Sequence, residues 1–293
     1  MIDIFKLGFV EFDAKDMRAM STYYSDTMGF TLTEYGPGGS AYFSSSTDHH
    51  NIVLTPSNES GIRSFGLQYK SDLGIEEVAE YLNLNFGITT ELKTDVKPGI
   101  YQYLQFTDPE GYEVHLYPEM TMTNPGFKTK GILPNKLGHL SLRVKDAKKQ
   151  VEFYKQLGFH NTDWIESFFG FMTCNYDHHV LNFFTSEHKG MHHIAFEMRN
   201  YSHLVEKLDF LRLNNKNLIW GPSRHGAGHN IACYHEDAEG NLIELFTDAD
   251  IYIKELGIFE PRPWHKDFPQ KPKVWSTDEC LSLWGVDFEK ALV

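Results

Sequence analysis

The amino-acid sequence predicts an α+β fold built from two tandem copies of one module, followed by a shorter tail. Two observations lead to this prediction. Short motifs recur at an offset of 129 or 130 residues along the 293-residue chain. Strand-like and helix-like patterns also follow one another in the same order in both halves. A chance match would not keep one offset over most of a module, so the repeat indicates a duplicated structural unit.

The motifs of the repeat extend from the beginning to the end of each half. A single deletion aligns them, because the offset changes only once. The matching segments are KLGF at 6–9 with KLGH at 136–139, KD at 15–16 with KD at 145–146, Tyr24 with Tyr154, GF at 29–30 with GF at 158–159, and DPEG at 108–111 with DAEG at 237–240.

Each half begins with a strand-like run and an amphipathic helix, and it closes with a turn and a strand. The predicted helices are 16–28, 74–84, 147–157 and 202–213, and the predicted first and last strands are 7–11, 112–117, 137–144 and 241–247. Proline and glycine at Pro125, Gly126, Gly131 and Pro134 indicate a linker between the modules. We therefore predict a first module at 1–123, a linker at 124–135, a second module at 136–250 and a tail at 251–293.

Composition excludes several classes of protein. The net charge is −13 and no long basic run is present, so nucleic acid is not an expected partner. No run approaches the roughly 18 apolar residues that a membrane-spanning helix needs, and residues 1–10 do not resemble a secretory signal. The three cysteines, Cys174, Cys233 and Cys280, are far apart, which is typical of a reducing cytoplasm.

Three positions differ between the copies in a way that indicates chemistry. The second module carries His139, His193 and Glu244 at its first, middle and last strands. The corresponding residues of the first module are Phe9, Ser64 and His115. Two histidines and one carboxylate are the ligand set of non-haem Fe(II) sites with open coordination positions. We expect these three side chains to bind one divalent metal, which would be confined to the second module.

Each of the three residues also has a simpler interpretation when it is taken alone. A single strand histidine such as His139 is more often packed or exposed than bound to a metal. Glu244 alone would most often face solvent, although a carboxylate among apolar strand neighbours is costly to bury without a partner. His193 follows His192 in a chain with 15 histidines. Only their coincidence at equivalent places in one module favours the metal site.

Further motifs in the second half carry a resemblance to a known family. GPSRHG at 221–226 is followed nine residues after its histidine by Tyr234 and then by Glu244, while LGHL at 137–140 and MHHIAF at 191–196 surround the two candidate histidines. With these motifs the chain resembles the vicinal oxygen chelate superfamily, and within it the type I extradiol ring-cleaving dioxygenases. The resemblance covers about residues 1–250. It implies paired βαβββ units in each module and Fe(II), or alternatively Mn(II), as the metal.

The resemblance also implies roles for three more residues. His179, 14 residues before the second candidate ligand, corresponds to a histidine that stabilises bound oxygen and moves a proton. His178 is adjacent, and a slip of one residue would exchange the two. His225 is expected to hydrogen-bond a substrate oxygen, and Tyr234 to do the same and help deprotonate a catechol. Without the motif spacing, His225 would be a turn residue and Tyr234 a core aromatic.

Trp220 departs from the pattern of the homoprotocatechuate-cleaving members. They carry an arginine just before this Gly-Pro, and an indole cannot replace the bidentate cation that a carboxylate favours. We therefore expect Trp220 to be a substrate-binding residue and the substrate to be a neutral catechol that is unsubstituted or carries alkyl or aryl groups. Arg262 or Lys266 of the tail could still supply a cation.

The resemblance implies a cytoplasmic enzyme with a catechol and O₂ as small-molecule partners, assembled as a homo-oligomer, commonly a tetramer. The tail is expected to cover the active site or to join a subunit contact, although ordinary packing explains Trp264, His265 and Trp275 equally well. Two other functions stay open. One is a metal-dependent lyase or isomerase of the glyoxalase type, and the other is a protein that binds a small aromatic molecule.

Overall fold

The computed structural model describes residues 2–124, 126 and 128–287. Pro125 and Phe127 of the predicted linker and the last six residues of the predicted tail lie outside the described residues. The chain divides into two compact units, Met1–Leu137 with Gln156–Gly158, and Gly138–Lys155 with Phe159–Val293. The limits of the modules and the linker stay a prediction. Within the described ranges, no helix has the length and apolarity that crossing a membrane requires.

The first unit is an eight-stranded sheet with two main helices. Its strands are β1 (Asp3–Ala14), β2 (Thr31–Tyr35), β3 (Ala41–Ser44), β4 (Ile52–Pro56), β5 (Gly61–Lys70), β6 (Glu91–Lys97), β7 (Ile100–Thr107) and β8 (Glu113–Tyr117), and its helices are α1 (Met17–Thr22) and α2 (Ile75–Phe86). The spatial order of the strands is β2-β3-β4-β1-β5-β8-β7-β6.

The second unit repeats this arrangement and adds elements from the tail. Its strands are β9 (Lys136–Val144), β10 (His160–Ile165), β11 (Phe169–Thr173), β12 (Leu181–Thr185), β13 (Gly190–Glu197), β14 (Trp220–Arg224), β15 (Ile231–Glu236), β16 (Leu242–Thr247), β17 (Tyr252–Ile253), β18 (Ile258–Phe259) and β19 (Lys273–Trp275), and its helices are α3 (Ala147–Gln156), α4 (Tyr201–Leu213) and α5 (Thr277–Cys280). The order of the larger sheet is β14-β15-β16-β13-β9-β12-β11-β10-β19.

Apart from the tail strand β19, each large sheet consists of two four-stranded halves that meet at their first strands. In every half the chain runs through a strand, a helix and three further strands, and the last strand pairs in parallel with the first, as in β1 with β4 and β13 with β16. The expected paired βαβββ units are therefore confirmed. Because β9 and β13 are neighbours at the centre of the second sheet, residues on their shared face lie close together.

The helices agree with the sequence prediction except near their ends. The first predicted helix, at 16–28, is divided into α1 and a π-helical turn at Tyr23–Thr27. Asp16 caps its start, since the carboxylate accepts a hydrogen bond from the backbone N–H of Ala19 at 2.9 Å. The repeat predicts the helix. It does not predict the change from α-helical to π-helical hydrogen bonds, because the spacing of apolar residues carries no information about that change.

The aromatic residues shared by the two copies belong to the core. Tyr24 is fully buried and lies 5.9 Å from Phe30, measured between ring centroids. Its counterpart Tyr154 is also fully buried and lies 5.4 Å from Phe159. Aromatic packing of this kind contributes strongly to stability, which explains why both copies keep it while their sheet interiors differ.

Tyr117 supports a stability prediction for the first unit. Its side chain is fully buried, and its hydroxyl has no hydrogen-bond partner among the residues that the structure describes. A buried hydroxyl without a partner costs roughly 1–3 kcal/mol. We expect Tyr117→Phe to raise the free energy of unfolding by up to about that amount, as measured by urea denaturation. A decrease of more than about 1 kcal/mol would show that the hydroxyl is stabilised in solution.

Candidate metal centre and cavity

Three side chains from three neighbouring strands of the second unit meet at one point. The Nε2 atoms of His139 and His193 are 3.0 Å apart, and they lie 3.2 Å and 3.1 Å from Oε2 of Glu244. All three residues are at least 97% buried. These are the positions at which the two sequence copies differ, and the structure brings them together.

Strand pairing explains why they converge. Glu244 on β16 is paired with Ala195 on the parallel strand β13, and His193 shares the face of Ala195 because side chains alternate along a strand. His139 projects from β9, the other neighbour of β13. The Nδ1 atom of His193 lies 2.6 Å from Nδ1 of His192, so that Nε2 is the nitrogen directed at the other two ligands.

The spacing of the three atoms fits one octahedral ion. Ligands at about 2.1 Å from a metal are about 3.0 Å apart when they are at right angles and about 3.4 Å apart in a tetrahedron. The measured separations of 3.0–3.2 Å match three mutually adjacent octahedral positions. A cation held there would leave the other three positions for small molecules.

The electrostatics of the three residues favour metal binding. Burial alone would raise the pKa of Glu244, but His139 and His193 outweigh it and hold that pKa well below its usual range. Burial lowers the pKa of His139, although Glu244 opposes this shift. The site therefore presents an ionised carboxylate beside a neutral imidazole at neutral pH, the protonation states that metal ligands require.

Two hydrogen bonds fix the carboxylate of Glu244. The side-chain amide of Asn230 donates to Oε1 at 2.8 Å, and the hydroxyl of Tyr234 donates to Oε2 at 2.8 Å. Tyr234 is paired with Glu244 across β15 and β16. Asn230 is not predicted from the sequence, because no motif marks it. Its position directly before β15 is the only signal that pointed towards the site.

A cavity of about 250 Å³ opens onto these residues. Its polar end is formed by the three candidate ligands and by side chains of His179, Asn182, His192, His225, Asn230 and Tyr234. Its remaining wall is mostly apolar and includes Ile165, Phe168, Phe169, Phe171, Phe184, Ala227, Cys280 and Leu281. Among the described residues that line it, none is lysine or arginine. The cavity therefore favours an uncharged, largely aromatic or aliphatic molecule.

Of the two adjacent histidines, His179 is the one at the cavity. Its ring centroid lies 4.1 Å from that of His139, and it is part of the cavity wall. The ring of His178 is turned away, fully buried, and stacked on Phe259 at 5.1 Å. The geometry therefore favours His179 as the expected oxygen-side histidine, while its role stays a prediction.

His225 and Tyr234 face the cavity in defined protonation states. The Nδ1 atom of His225 lies 2.8 Å from the carbonyl oxygen of Leu281, which can only accept, so Nδ1 carries the proton. Burial lowers the pKa of His225, so the ring is neutral and Nε2 is a hydrogen-bond acceptor. Burial and then Glu244 raise the pKa of Tyr234 well above its usual value. Tyr234 is therefore a donor in this state and a poor base.

Trp220 lies behind the cavity wall. Its ring stacks on His225 with centroids 4.9 Å apart and planes 13° from parallel, and it is not among the residues that line the cavity. A role of Trp220 in binding a substrate therefore stays a prediction. Any influence of Trp220 on a substrate would pass through the orientation of His225.

The tail contributes to the cavity and is held by a second buried group. Oδ2 of Asp250 accepts from Nδ1 of His229 at 2.7 Å, and Oδ1 accepts from Nε2 of His265 at 3.0 Å. The backbone N–H of Arg262 donates to Nδ1 of His265 at 3.1 Å, so both nitrogens of that ring are already used. These bonds attach the tail beyond β16, and Trp264 adds a contact of its indole N–H with Asp250 at 3.4 Å.

The corresponding interior of the first unit is built differently. Fully buried Phe9 occupies the position of the first candidate ligand, and its ring lies 5.8 Å from that of His115. A buried ion pair is nearby, in which Nζ of Lys97 donates to Oε2 of Glu11 at 2.6 Å. Among the described residues of this unit, no three ligand-type side chains converge as in the second unit.

The ligand geometry predicts the effect of removing the carboxylate. We expect Glu244→Ala to lower the affinity for Fe(II) by more than the roughly 10- to 100-fold typical of residues that only support a ligand. Metal content after anaerobic loading and desalting measures the loss. His115→Ala, at the equivalent position of the first module, is the matched control and should retain metal. Equal retention by both variants would contradict the ligand assignment.

The pKa shifts predict that acid destabilises the metal-free protein. The pKa of His139 in the folded state is below its unfolded value of 6.5. As the pH falls below 6.5, the unfolded state therefore binds a proton more readily at this residue, and the free energy of unfolding decreases. The pKa of Glu244 is below 4.5, so its stabilising contribution is lost as the pH falls below that value. Urea unfolding between pH 7 and 4 should show falling stability, less steeply in His139→Asn. Constant stability over this range would refute the assigned protonation states.

Comparison with known proteins agrees with this architecture. A sequence profile of the Glyoxalase/Bleomycin resistance protein/Dioxygenase superfamily matches residues 6–116 and 136–245. A metapyrocatechase of Pseudomonas sp. (strain CF600) is 21% identical over 84% of this chain and 87% of its own length.

Two solved structures share the fold over nearly the whole chain. The 2,3-dioxygenase LapB from Pseudomonas sp. KL28 is 22% identical, with a TM-score of 0.81 over 94% of this chain and 98% of its own. The Mn(II)-bound glyoxalase from Novosphingobium aromaticivorans is 20% identical, with a TM-score of 0.83 over 97% and 92%. Because the profile matches most of both halves, the chain belongs to the Glyoxalase/Bleomycin resistance protein/Dioxygenase superfamily.

Proposed function

We propose that this protein is an Fe(II)-dependent extradiol dioxygenase that opens the ring of a neutral catechol beside its two hydroxyl groups. The observation that carries the proposal is the group of His139, His193 and Glu244 at the polar end of an apolar cavity. Three adjacent ligands leave enough coordination positions for both catechol oxygens and O₂. A bound divalent metal would supply Lewis acidity and an electron path between these partners.

The chain's own residues supply hydrogen bonds around that position. Nε2 of His225 is an acceptor and lies 3.4 Å from the hydroxyl of Tyr234, so a catechol hydroxyl placed there can donate to it. Tyr234 keeps its proton and donates, which suits it to stabilise a substrate oxygen after that oxygen has lost its proton. His179 faces the same space from the loop between β11 and β12 and is assigned the transfer of a proton near O₂.

The apolar wall supports an uncharged substrate. The side chains of Phe168, Phe171 and Phe184 face the cavity and would contact a ring substituent. Arg262, considered as a possible cation for a substrate carboxylate, is bonded to Glu260 at 3.1 Å and is not part of the wall. An acidic catechol would therefore lose hydration without gaining an ion pair.

The names of the relatives agree with this proposal. The similar proteins include a metapyrocatechase and a 2,3-dioxygenase. One observation favours the glyoxalase-type alternative, which is the equal structural likeness to a Mn(II)-bound glyoxalase. That likeness also keeps Mn(II) as an alternative metal. A protein that only binds a small aromatic molecule would not need three convergent ligands.

A cytoplasmic homotetramer stays part of the proposal, and light scattering coupled to size-exclusion chromatography measures its mass.

Anaerobic loading with Fe(II), followed by catechol and air, tests the proposed reaction. We expect consumption of O₂ together with a yellow ring-opened product. The Glu244→Ala variant is the control for metal-independent oxidation of the catechol. The glyoxalase-type alternative predicts turnover of a thiol adduct without O₂. Absence of colour and O₂ uptake with several neutral catechols would refute the dioxygenase proposal.

The apolar wall gives a prediction about substrate choice. Burial of a methyl group contributes about 0.8 kcal/mol, and the carboxylate of homoprotocatechuate would lose hydration without gaining an ion pair. Together these effects should make kcat/KM at least about tenfold higher for alkylcatechols than for homoprotocatechuate. Steady-state O₂ uptake with 3-methylcatechol, 4-methylcatechol and homoprotocatechuate measures this ratio. Comparable values for the acidic and the neutral substrates would contradict the assignment of an uncharged substrate.

A further inference from the structure

We infer that Asp163 and His178 are positioning residues that determine which ring nitrogen of His179 carries a proton. This inference rests on the proposed function, because it concerns how His179 serves the same cavity. Neither residue lines the cavity. The two residues and His179 form a continuous buried chain of hydrogen-bonding groups that leads away from it.

The chain begins at a carboxylate whose oxygens are both occupied by donors. Oδ1 of Asp163 accepts from the backbone N–H of Lys273 at 2.8 Å, and Oδ2 accepts from the indole N–H of Trp275 at 2.8 Å. Oδ2 also lies 3.1 Å from Nε2 of His178. Backbone and indole N–H groups can only donate, so both carboxylate oxygens of Asp163 are acceptors. Nε2 of His178 therefore carries a proton.

The protonated Nε2 of His178 determines the state of the next ring. The Nδ1 atoms of His178 and His179 are 2.8 Å apart, and one of them must donate to the other. When His178 is neutral, its proton is on Nε2 and its Nδ1 can only accept. His179 must then donate from Nδ1, which leaves the lone pair of its Nε2 as the acceptor. His179 thus presents a proton acceptor, and not a donor, at the start of a reaction.

The same chain can accommodate a transferred proton. A catechol O–H bond breaks as its proton forms a bond to Nε2 of His179. The proton on Nδ1 of His179 then passes along the hydrogen bond to Nδ1 of His178, 2.8 Å from it, and His178 becomes an imidazolium beside the carboxylate of Asp163. His179 ends neutral with its proton on Nε2 and is now a donor. The positive charge lies next to an anion, where a close opposite charge stabilises it.

The first unit contains a copy of this arrangement without the candidate metal residues. At an offset of 129 residues, Nε2 of His49 lies 3.2 Å from Oε2 of Glu34, and its Nδ1 lies 3.0 Å from Nδ1 of His50. The ring of His50 packs against Phe9, with centroids 4.9 Å apart. The histidine pair is therefore present in both units, and the first unit offers a matched control for any contribution of the pair to folding.

Two substitutions of His178 separate the positioning role from packing. His178→Phe keeps a flat ring between Phe171 and Phe259 but removes both nitrogens. His178→Gln keeps an amide N–H for Asp163 and a carbonyl oxygen for Nδ1 of His179, although it cannot become charged. His49→Phe makes the same loss in the first unit and controls for the structural cost.

Long-range ¹⁵N–¹H NMR of the metal-free full chain, labelled on its histidine rings, reports the tautomer of His179 without any turnover. Subtraction of the His179→Asn spectrum assigns the signal. We expect the Nδ1–H tautomer in wild type, His178→Gln and His49→Phe, and its loss in His178→Phe. A wild-type Nε2–H tautomer, or an unchanged tautomer in His178→Phe, would overturn the inference.

Kinetics of the Fe(II)-loaded proteins complete the test. His178→Phe should lower kcat by about 10- to 100-fold, as is typical when a supporting partner is removed, with KM changed by less than about threefold. The kcat of His49→Phe should match that of wild type. An equal loss of kcat in His49→Phe and His178→Phe would show that His178 contributes only to folding. Absence of O₂ uptake by wild type would refute the proposed function, whereas the tautomer tests the positioning role separately.

Discussion

The second unit depends on the burial of one carboxylate, Glu244, inside a β-sheet. Such a group is strongly destabilising in a protein interior unless opposite charge and hydrogen bonds compensate for its lost hydration. Asn230 and Tyr234 supply the hydrogen bonds, and a divalent cation shared with two histidines would supply the charge. The sheet order places both histidines beside this carboxylate, and the cavity opens onto the same three residues.

The two units compensate for a buried carboxylate inside the sheet in different ways. In the first unit, Lys97 is the buried cation and Glu11 its anion, in contact at 2.6 Å. Unlike a metal ion, the ammonium group of a lysine has no coordination positions at which small molecules could bind. The ion pair therefore suits a structural role in the first unit and not the binding of a substrate. In the second unit, the candidate metal ligands His139 and His193 stand at the positions of Phe9 and Ser64, and this difference favours a metal site in one copy only.

Much of this arrangement follows from the sequence because strand geometry is regular. The repeat indicates the duplicated unit, and alternation along strands predicts that His193 and Glu244 share a site. Contacts made by the tail were beyond such reasoning. No periodic pattern indicates that the carbonyl of Leu281 fixes the tautomer of His225, or that Trp220 stacks behind that ring and not in the cavity. These contacts depend on irregular backbone, for which residue spacing carries no signal.

The central claim is that two imidazoles and one carboxylate of the second unit bind a single ion. X-ray absorption at the iron edge of the Fe(II)-loaded protein, with iron content measured on the same sample, tests it most directly. We expect one iron per chain, with scattering from two imidazole rings and light-atom ligands at about 2.1 Å. Scattering from no imidazole, from three or more, or from sulfur would contradict it.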